Sequence, residues 1–343
     1  MGRSTKARRR LMLGAVAFAA VTGIGARIRR RRPVVERVAS DLRSPVLYLP
    51  FDLRSERTLR AVRSLNERAV TPVAAGVDVS ERMIGGSAGE PAVRVVLYEP
   101  SEHDGPRAAL LWIHGGGMVM GRPEQANQWC SEVAAELGIL VVSVDYRLAP
   151  EHPFPAGVHD CYGALEWLHA DADALDVDVE RIAVGGDSAG GGLSASLCQL
   201  ARDRGGPAVC FQLLNYPMLD DRSVLRADHQ GRGELVWTPA SNRFGWSAYL
   251  GSAPSAEGAP MHAAPARTTD LAGLPPAWIG VGDLDLFFAE DVDYAERLEA
   301  AGVPCELHVE AGMYHGADQL LRQAPRMRAY RQRMVDALKD AVT

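Results

Sequence analysis

RIAVGGDSAGGGLSASLCQLARDR, residues 181–204, is the stretch on which the fold turns. Its first half is a short apolar run of the kind that forms a buried strand, and its second half has helical spacing. Between them stands Gly186-Asp187-Ser188-Ala189-Gly190, a G-x-S-x-G pattern. Alone that pattern is weak. Set between a strand and a helix, it reads as a sharp turn that lifts Ser188 into a strained, exposed position while small neighbours let backbone pass.

Outward from this stretch, strands and helices alternate. VRVVLYEP (93–100), AALLWIH (108–114), LVVSVDY (140–146), CFQLLNY (210–216), AWIGVG (277–282) and CELHVE (305–310) read as strands buried on both faces. Helical patterns fall at 123–138, 157–170, 189–204, 289–302 and from Gln319 to about Val342. Such alternation predicts βαβ units and a mostly parallel sheet flanked by helices. Before the first strand, LRSERTLRAVRSLNER places Leu53, Leu59, Val62 and Leu65 at helical spacing. Residues 218–265 break the alternation. They hold no evident strand but carry Trp237, Phe244, Trp246 and Tyr249, as expected of a helical cap over a site. The expected organisation is a basic and apolar segment at 1–32, N-terminal cap helices at 33–75, a core at 76–217 and 266–343, and a second cap segment at 218–265.

Charge is unevenly spread. The net charge of the 343 residues is −6, yet residues 1–32 hold ten basic residues and no acid. The rest of the chain carries 27 basic against 43 acidic residues, which disfavours nucleic acid as a partner. Leu11 to Ala26 is an apolar run of 16 residues between two basic clusters. It is short for a span of roughly 20. A membrane anchor or interfacial helix, a cleaved leader and an unstructured segment remain open for it, with a cytoplasmic or membrane-associated location favoured over export. Five widely spaced cysteines with no C-x-x-C pattern read as reduced thiols. His103, His159, His169, His229 and His262 form no ligand spacing, so no metal site is expected. His152 and His308 read as structural residues, and Asp160 as a carboxylate near a helix start.

His114-Gly115-Gly116-Gly117 closes the strand AALLWI. Glycines here free two amides to point at one oxygen, with His114 shaping the loop. No phosphate-loop pattern occurs. Acid and histidine partners for Ser188 are expected in loops after later strands. Asp283 and Asp285 follow AWIGVG, and His315 follows CELHVE. Met118, Val119, Leu286, Phe287 and the cap aromatics are candidates to line a substrate pocket, with plain core packing equally open for Met118 and Phe287. Asp187 either tunes the turn or is a solvated turn residue.

Together H-G-G-G, Y-R-L-A-P-E-H-P-F-P-A (Tyr146 to Ala156), G-D-S-A-G, the acid loop at 283–287 and H-G at 315–316 resemble the hormone-sensitive-lipase-like branch of the α/β-hydrolases, the bacterial family IV esterases. The resemblance covers roughly residues 75–340. It implies the α/β-hydrolase fold with a helical cap, and no cofactor. It implies Ser188 as nucleophile, His315 as base, and backbone amides of Gly115, Gly116 and Ala189 as oxyanion hole. The family's acid lies about thirty residues before the histidine, which favours Asp285 over Asp283. One departure is Leu286, where the family often has proline. The implied substrates are small esters of short to medium acyl chains, and family members often form homodimers. An amidase, a hydrolase of specialised lipid esters, and a non-catalytic binding protein such as the plant gibberellin receptors are the rivals on this fold.

Overall fold

The computed structural model describes residues 28–49, 52–66, 70–102 and 105–343. Eight strands form one sheet: β1 Val77–Ile84, β2 Val93–Pro100, β3 Arg107–Ile113, β4 Leu140–Asp145, β5 Val177–Asp187, β6 Phe211–Asn215, β7 Ala277–Gly282 and β8 Cys305–Glu310. Their order is β1-β2-β4-β3-β5-β6-β7-β8. The β1–β2 and β2–β4 pairs are antiparallel, and every other pair is parallel. The helices are α1 (28–37), α2 Glu56–Asn66, α3 Asn127–Leu137, α4 Ala156–Ala170, α5 Ala189–Arg204, α6 Pro239–Leu250, α7 Phe288–Ala300, α8 Ala317–Leu320 and α9 Pro325–Val342.

Both faces of the sheet are covered, and β3 shows how one sequence serves two layers. Ala109, Leu111 and Ile113 pack with Cys161 and Leu165 of α4, Leu193 and Leu197 of α5, and Tyr294 of α7. The alternate residues Leu110 and Trp112 pack with Trp129 and Val133 of α3 and Met327, Tyr330 and Met334 of α9. All seven β3 residues are buried, which is why the run reads as continuously apolar. Val35, Val38 and Leu42 join the α9 layer, and the Ala39 amide donates to the Gly312 carbonyl. Residues 28–42 therefore lie on the sheet's α9 side, whereas the residues leading into α2 reach the 218–265 segment. There the Leu53 amide donates to Ser241 Oγ of α6, and Thr238 Oγ1 donates to Asp52 Oδ1.

Several sequence expectations need correction. β1 has no apolar pattern because it is an edge strand with six consecutive exposed positions; Asp78, Glu81 and Arg82 blunt that edge. β8, the opposite edge, is half-buried rather than covered on both faces. The C-terminal helical run is two helices. α8 ends at Leu320, and Pro325, with Ala324 before it in extended backbone, starts α9 afresh. Leu65 follows the α2 spacing yet is exposed, while Leu53 and Leu59 are buried. The apolar run at 11–26 lies outside the described residues. Among the described residues no helix is long and apolar enough to cross a membrane.

Candidate active site

The C-terminal ends of β3, β5, β7 and β8 converge at one sheet edge, where open α/β sheets hold their ligands. At the end of β5, Ser188 sits at φ 56°, ψ −117°, a conformation that non-glycine residues rarely adopt. It is held there by main-chain bonds: the Ser188 amide donates to the Asn215 carbonyl at 2.8 Å, and the Met218 and Gly192 amides donate to the Ser188 carbonyl. The flanking glycines answer to space. A Cβ on Gly190 would lie 1.9 Å from the Ile113 carbonyl oxygen, and one on Gly186 would lie 2.5 Å from the Gly190 carbonyl carbon. α5 can start this close to β3 only without side chains.

The glycine loop lies against this turn. A Cβ on Gly115 would meet the Asp187 carbonyl at 2.9 Å and Ser188 Cβ at 3.5 Å. Gly116 has φ +124°, and a Cβ there would strike the Met120 carbonyl. Ala189 is the first residue of α5, where a helix leaves its amides without intrahelical acceptors. His114 shapes the loop as expected: its Nδ1 donates to the Gly115 carbonyl, and its ring stacks on Tyr146 at 4.4 Å. Burial holds the His114 imidazole below its usual pKa.

His315, in the loop after β8, joins the two other candidates. Its Nδ1 donates to Asp285 Oδ2 at 2.8 Å, leaving Nε2 to accept from Ser188 Oγ at 2.9 Å. Asp285 is fully buried, and its Oδ1 accepts the Phe287 amide at 3.0 Å. Asp283 stands elsewhere: its Oδ1 accepts the Gly312 amide at 2.7 Å and ties the β8 loop to the β7 loop. A hydroxyl, imidazole and carboxylate in one hydrogen-bonded line is the arrangement that transfers acyl groups.

Comparison with known proteins gives the family. A model of the α/β hydrolase fold family matches residues 110–319. The chain belongs to that family. Esterase LipI of Mycobacterium tuberculosis is 37% identical over 270 residues, covering 78% of this hydrolase and 84% of LipI. Carboxylesterase NlhH of the same organism is 37% identical over 268 residues, covering 77% and 83%. The solved structure of a bacterial heroin esterase superposes with a TM-score of 0.83 at 36% identity, covering 90% of this chain and 99% of that one. The resemblance to hormone-sensitive-lipase-like esterases that the motifs carry is thus borne out, as is the α/β-hydrolase fold.

The other candidates of this hydrolase divide by surroundings. Met118, Val119, Leu286 and Phe287 are all core residues. Of these, Phe287 faces the His315 ring edge-on at 5.2 Å, and Leu286 packs under Gly233, where a Cβ would lie 2.6 Å from Leu286 Cδ1. Trp237 comes from the 218–265 segment. Its ring lies 6.3 Å from that of His315, and a Cβ on Gly117 would lie 2.2 Å from its Cη2. His152 is exposed, and His308 stacks on Trp278 beside Glu310. Among the described residues, no three or more of His, Cys, Asp and Glu stand together so as to hold a metal ion.

Two polar arrangements escape the sequence reading. Asp160 is a buried anchor: Arg147 meets both its oxygens and also Glu90. Tyr146 donates to the His114 carbonyl, the Ala149 amide donates to the Met118 carbonyl, and Arg63 of α2 donates to the Val119 and Ala149 carbonyls. The Y-R-L-A-P motif therefore braces the glycine loop. Its proximity was invisible, but paired motifs at two adjacent strand ends are the signal for it.

The second arrangement lies behind Ser188. Asp187 is buried, not solvated, and accepts from Asn215 Nδ2 and Gln319 Nε2. Tyr330 donates to Asn215 Oδ1, and Tyr216 donates to Asp318 Oδ1. Burial and then the charge of Asp318 push the Asp187 carboxyl up to about 7. An unfolded aspartate releases its proton near pH 4, so between about pH 4 and 7 the folded chain binds the extra proton. Stability is therefore lost as pH rises through that window, and the deficit is complete above it. Asp187→Asn removes this proton, so wild type should lose roughly 1–3 kcal/mol more stability than the variant between pH 5 and pH 8. Denaturant midpoints of both proteins at the two pH values test this; parallel losses would refute it.

Proposed function

We propose that this hydrolase cleaves carboxylic esters of short to medium acyl chain by two-step acyl transfer through Ser188, His315 and Asp285. The observation that carries the reading is the unbroken line from Ser188 Oγ to His315 to Asp285, with Ser188 on a positive-φ turn. The esterase names of its relatives support the reaction class.

Ser188 Oγ attacks the ester carbonyl carbon while His315 Nε2 takes its proton. Asp285 fixes the Nδ1–H tautomer and stabilises the imidazolium that forms. The carbonyl oxygen becomes an oxyanion within reach of the Gly115, Gly116 and Ala189 amides, a kind of contact worth about 10²–10³ in kcat per donor. His315 then protonates the leaving alcohol, which departs and leaves an acyl-serine. A water attacks that ester by the same route and releases the acid. The acyl group is read by Phe287 and Trp237, with Met118, Val119 and Leu286 supporting them from the core. Asp187 acts through the turn rather than on the substrate. Segment 218–265, together with α2, is the cap over the site. Hydrolysis of p-nitrophenyl esters from acetate to palmitate tests the reading: a maximum at short to medium chains supports it, and no turnover by folded protein refutes it.

Trp237 sets the length limit in this reading, since its indole closes the space between Gly117 and His315. Trp237→Leu should raise the octanoate-to-acetate ratio of kcat/KM by about 10-fold, the discrimination one or two methylenes command in an apolar pocket. An unchanged ratio would place the limit elsewhere.

A further inference from the structure

Away from Ser188, a cavity of about 290 Å³ opens between α3 and α9. Its walls are of two kinds. Trp129, Val133 and Val335 make an apolar side, and Arg322, Arg328 and Arg331 make a cationic one. Glu132 and Glu136 are the facing acids, and both already have partners: Arg322 pairs with Glu132, and Gln332 donates to Glu136. Arg331 is nearly buried and directs Nε and Nη2 at a single oxygen of Asp318, at 3.3 and 3.2 Å. Among the described residues its buried Nη1 has no acceptor, nor has the buried indole Nε1 of Trp129, over whose ring Arg331 lies at 5.4 Å. Two orphaned donors, one from each side of the cavity, leave hydrogen bonds for an acceptor to make. Burial and the charge of Arg331 also lower the pKa of Arg322, whereas at Arg331 burial is outweighed by the charges of Asp318 and Asp187, which raise it.

We propose that this cavity is an effector site for an amphiphilic carboxylate, whose head meets the guanidinium of Arg331 and whose short apolar tail lies on Trp129, Val133 and Val335. The planar guanidinium fork suits a carboxylate, and the apolar wall asks for a chain that inorganic anions lack. That class is the acid released under the proposed function, and the choice of ligand rests on that reading. The site is wired to the triad. Arg331 holds Asp318, Asp318 accepts the Tyr216 hydroxyl, and the Tyr216 ring meets the His315 ring edge-on at 4.7 Å. A carboxylate that draws Arg331 away from Asp318 disturbs the support of His315. Occupancy therefore lowers kcat and leaves KM in place, whereas acid bound at Ser188 itself would raise KM.

Calorimetric titration of Ser188→Ala protein with octanoate, and separately with inorganic phosphate, tests the site without ester turnover. Saturable heat with octanoate only is expected, weakened about tenfold by Arg328→Glu, an exposed charge reversal, and by Arg331→Lys, which keeps charge but loses the fork. No saturable heat, equal binding of phosphate, or affinity unchanged in Arg328→Glu overturns the proposal. So does inhibition of the wild type that acts on KM alone. If no ester is hydrolysed yet octanoate binding still responds to Arg328→Glu, the functional reading fails and the anion site stands.

Discussion

Ser188→Ala should lower kcat for p-nitrophenyl butyrate by about 10⁶-fold, His315→Ala by as much, and the double variant by no more than either alone. The geometry demands this lack of additivity. Ser188 Oγ and His315 Nε2 share one hydrogen bond at 2.9 Å, and in the proposed mechanism neither can carry out attack without the other. An alanine at 188 leaves no oxygen to attack with, and one at 315 leaves a hydroxyl with no base. Residual rate in all three variants comes from the backbone donors and from binding, which the substitutions leave intact. Single-turnover rates of the three proteins, with melting curves to check folding, decide the matter. A double variant much slower than both singles would mean that the two residues act separately.

Asp285→Asn should lower kcat by about 10⁴-fold, while Asp283→Asn should stay within about tenfold of wild type. Two carboxylates two residues apart have different duties. Asp285 accepts from His315 Nδ1 and from the Phe287 amide, both within the buried site. An asparagine at 285 turns an NH₂ group toward Nδ1 and favours the opposite tautomer, which puts a proton on the nitrogen that must accept one. Asp283 spends its carboxylate on the Gly312 amide, so its loss loosens the loop that carries His315 and shows first in the melting temperature. Equal losses of kcat for the two variants would overturn the assignment of the acid.

Much of this was legible in the chain. β2, β7 and β8 span the residues that their apolar runs occupy, and α5 the helical run after Ser188, because central elements are written in residues that must avoid water. The line of Ser188, Asp285 and His315 was legible for another reason: each residue lies within five residues after a strand end, and parallel strands bring those ends together. What stayed hidden depends on chain segments far apart. β1 owes its existence to pairing with β2 and to no pattern of its own. Asp160 reads as a helix-start carboxylate until folding sets Arg147 against it. Asp187 reads as polar and solvated because nothing local announces Gln319, 132 residues away. Pro325 was readable as a helix start and interrupts the long C-terminal run, a case where one residue outranks the surrounding periodicity.

Gly115, Gly186 and Gly190 form a seam where β3, the glycine loop and the Ser188 turn meet with no room for a methyl group. Such a seam shapes the evolvability of the enzyme. Drift cannot pass through it, since any side chain there pushes on main chain and not on a neighbour that can rotate aside. The 218–265 segment meets the site differently: its Trp237 lies against Gly117 and His315, and its Gly233 against the core residue Leu286, through side chains that can be exchanged and repacked. New substrate preferences in this lineage are therefore expected to be written in that segment, over a chemical centre that stays unchanged.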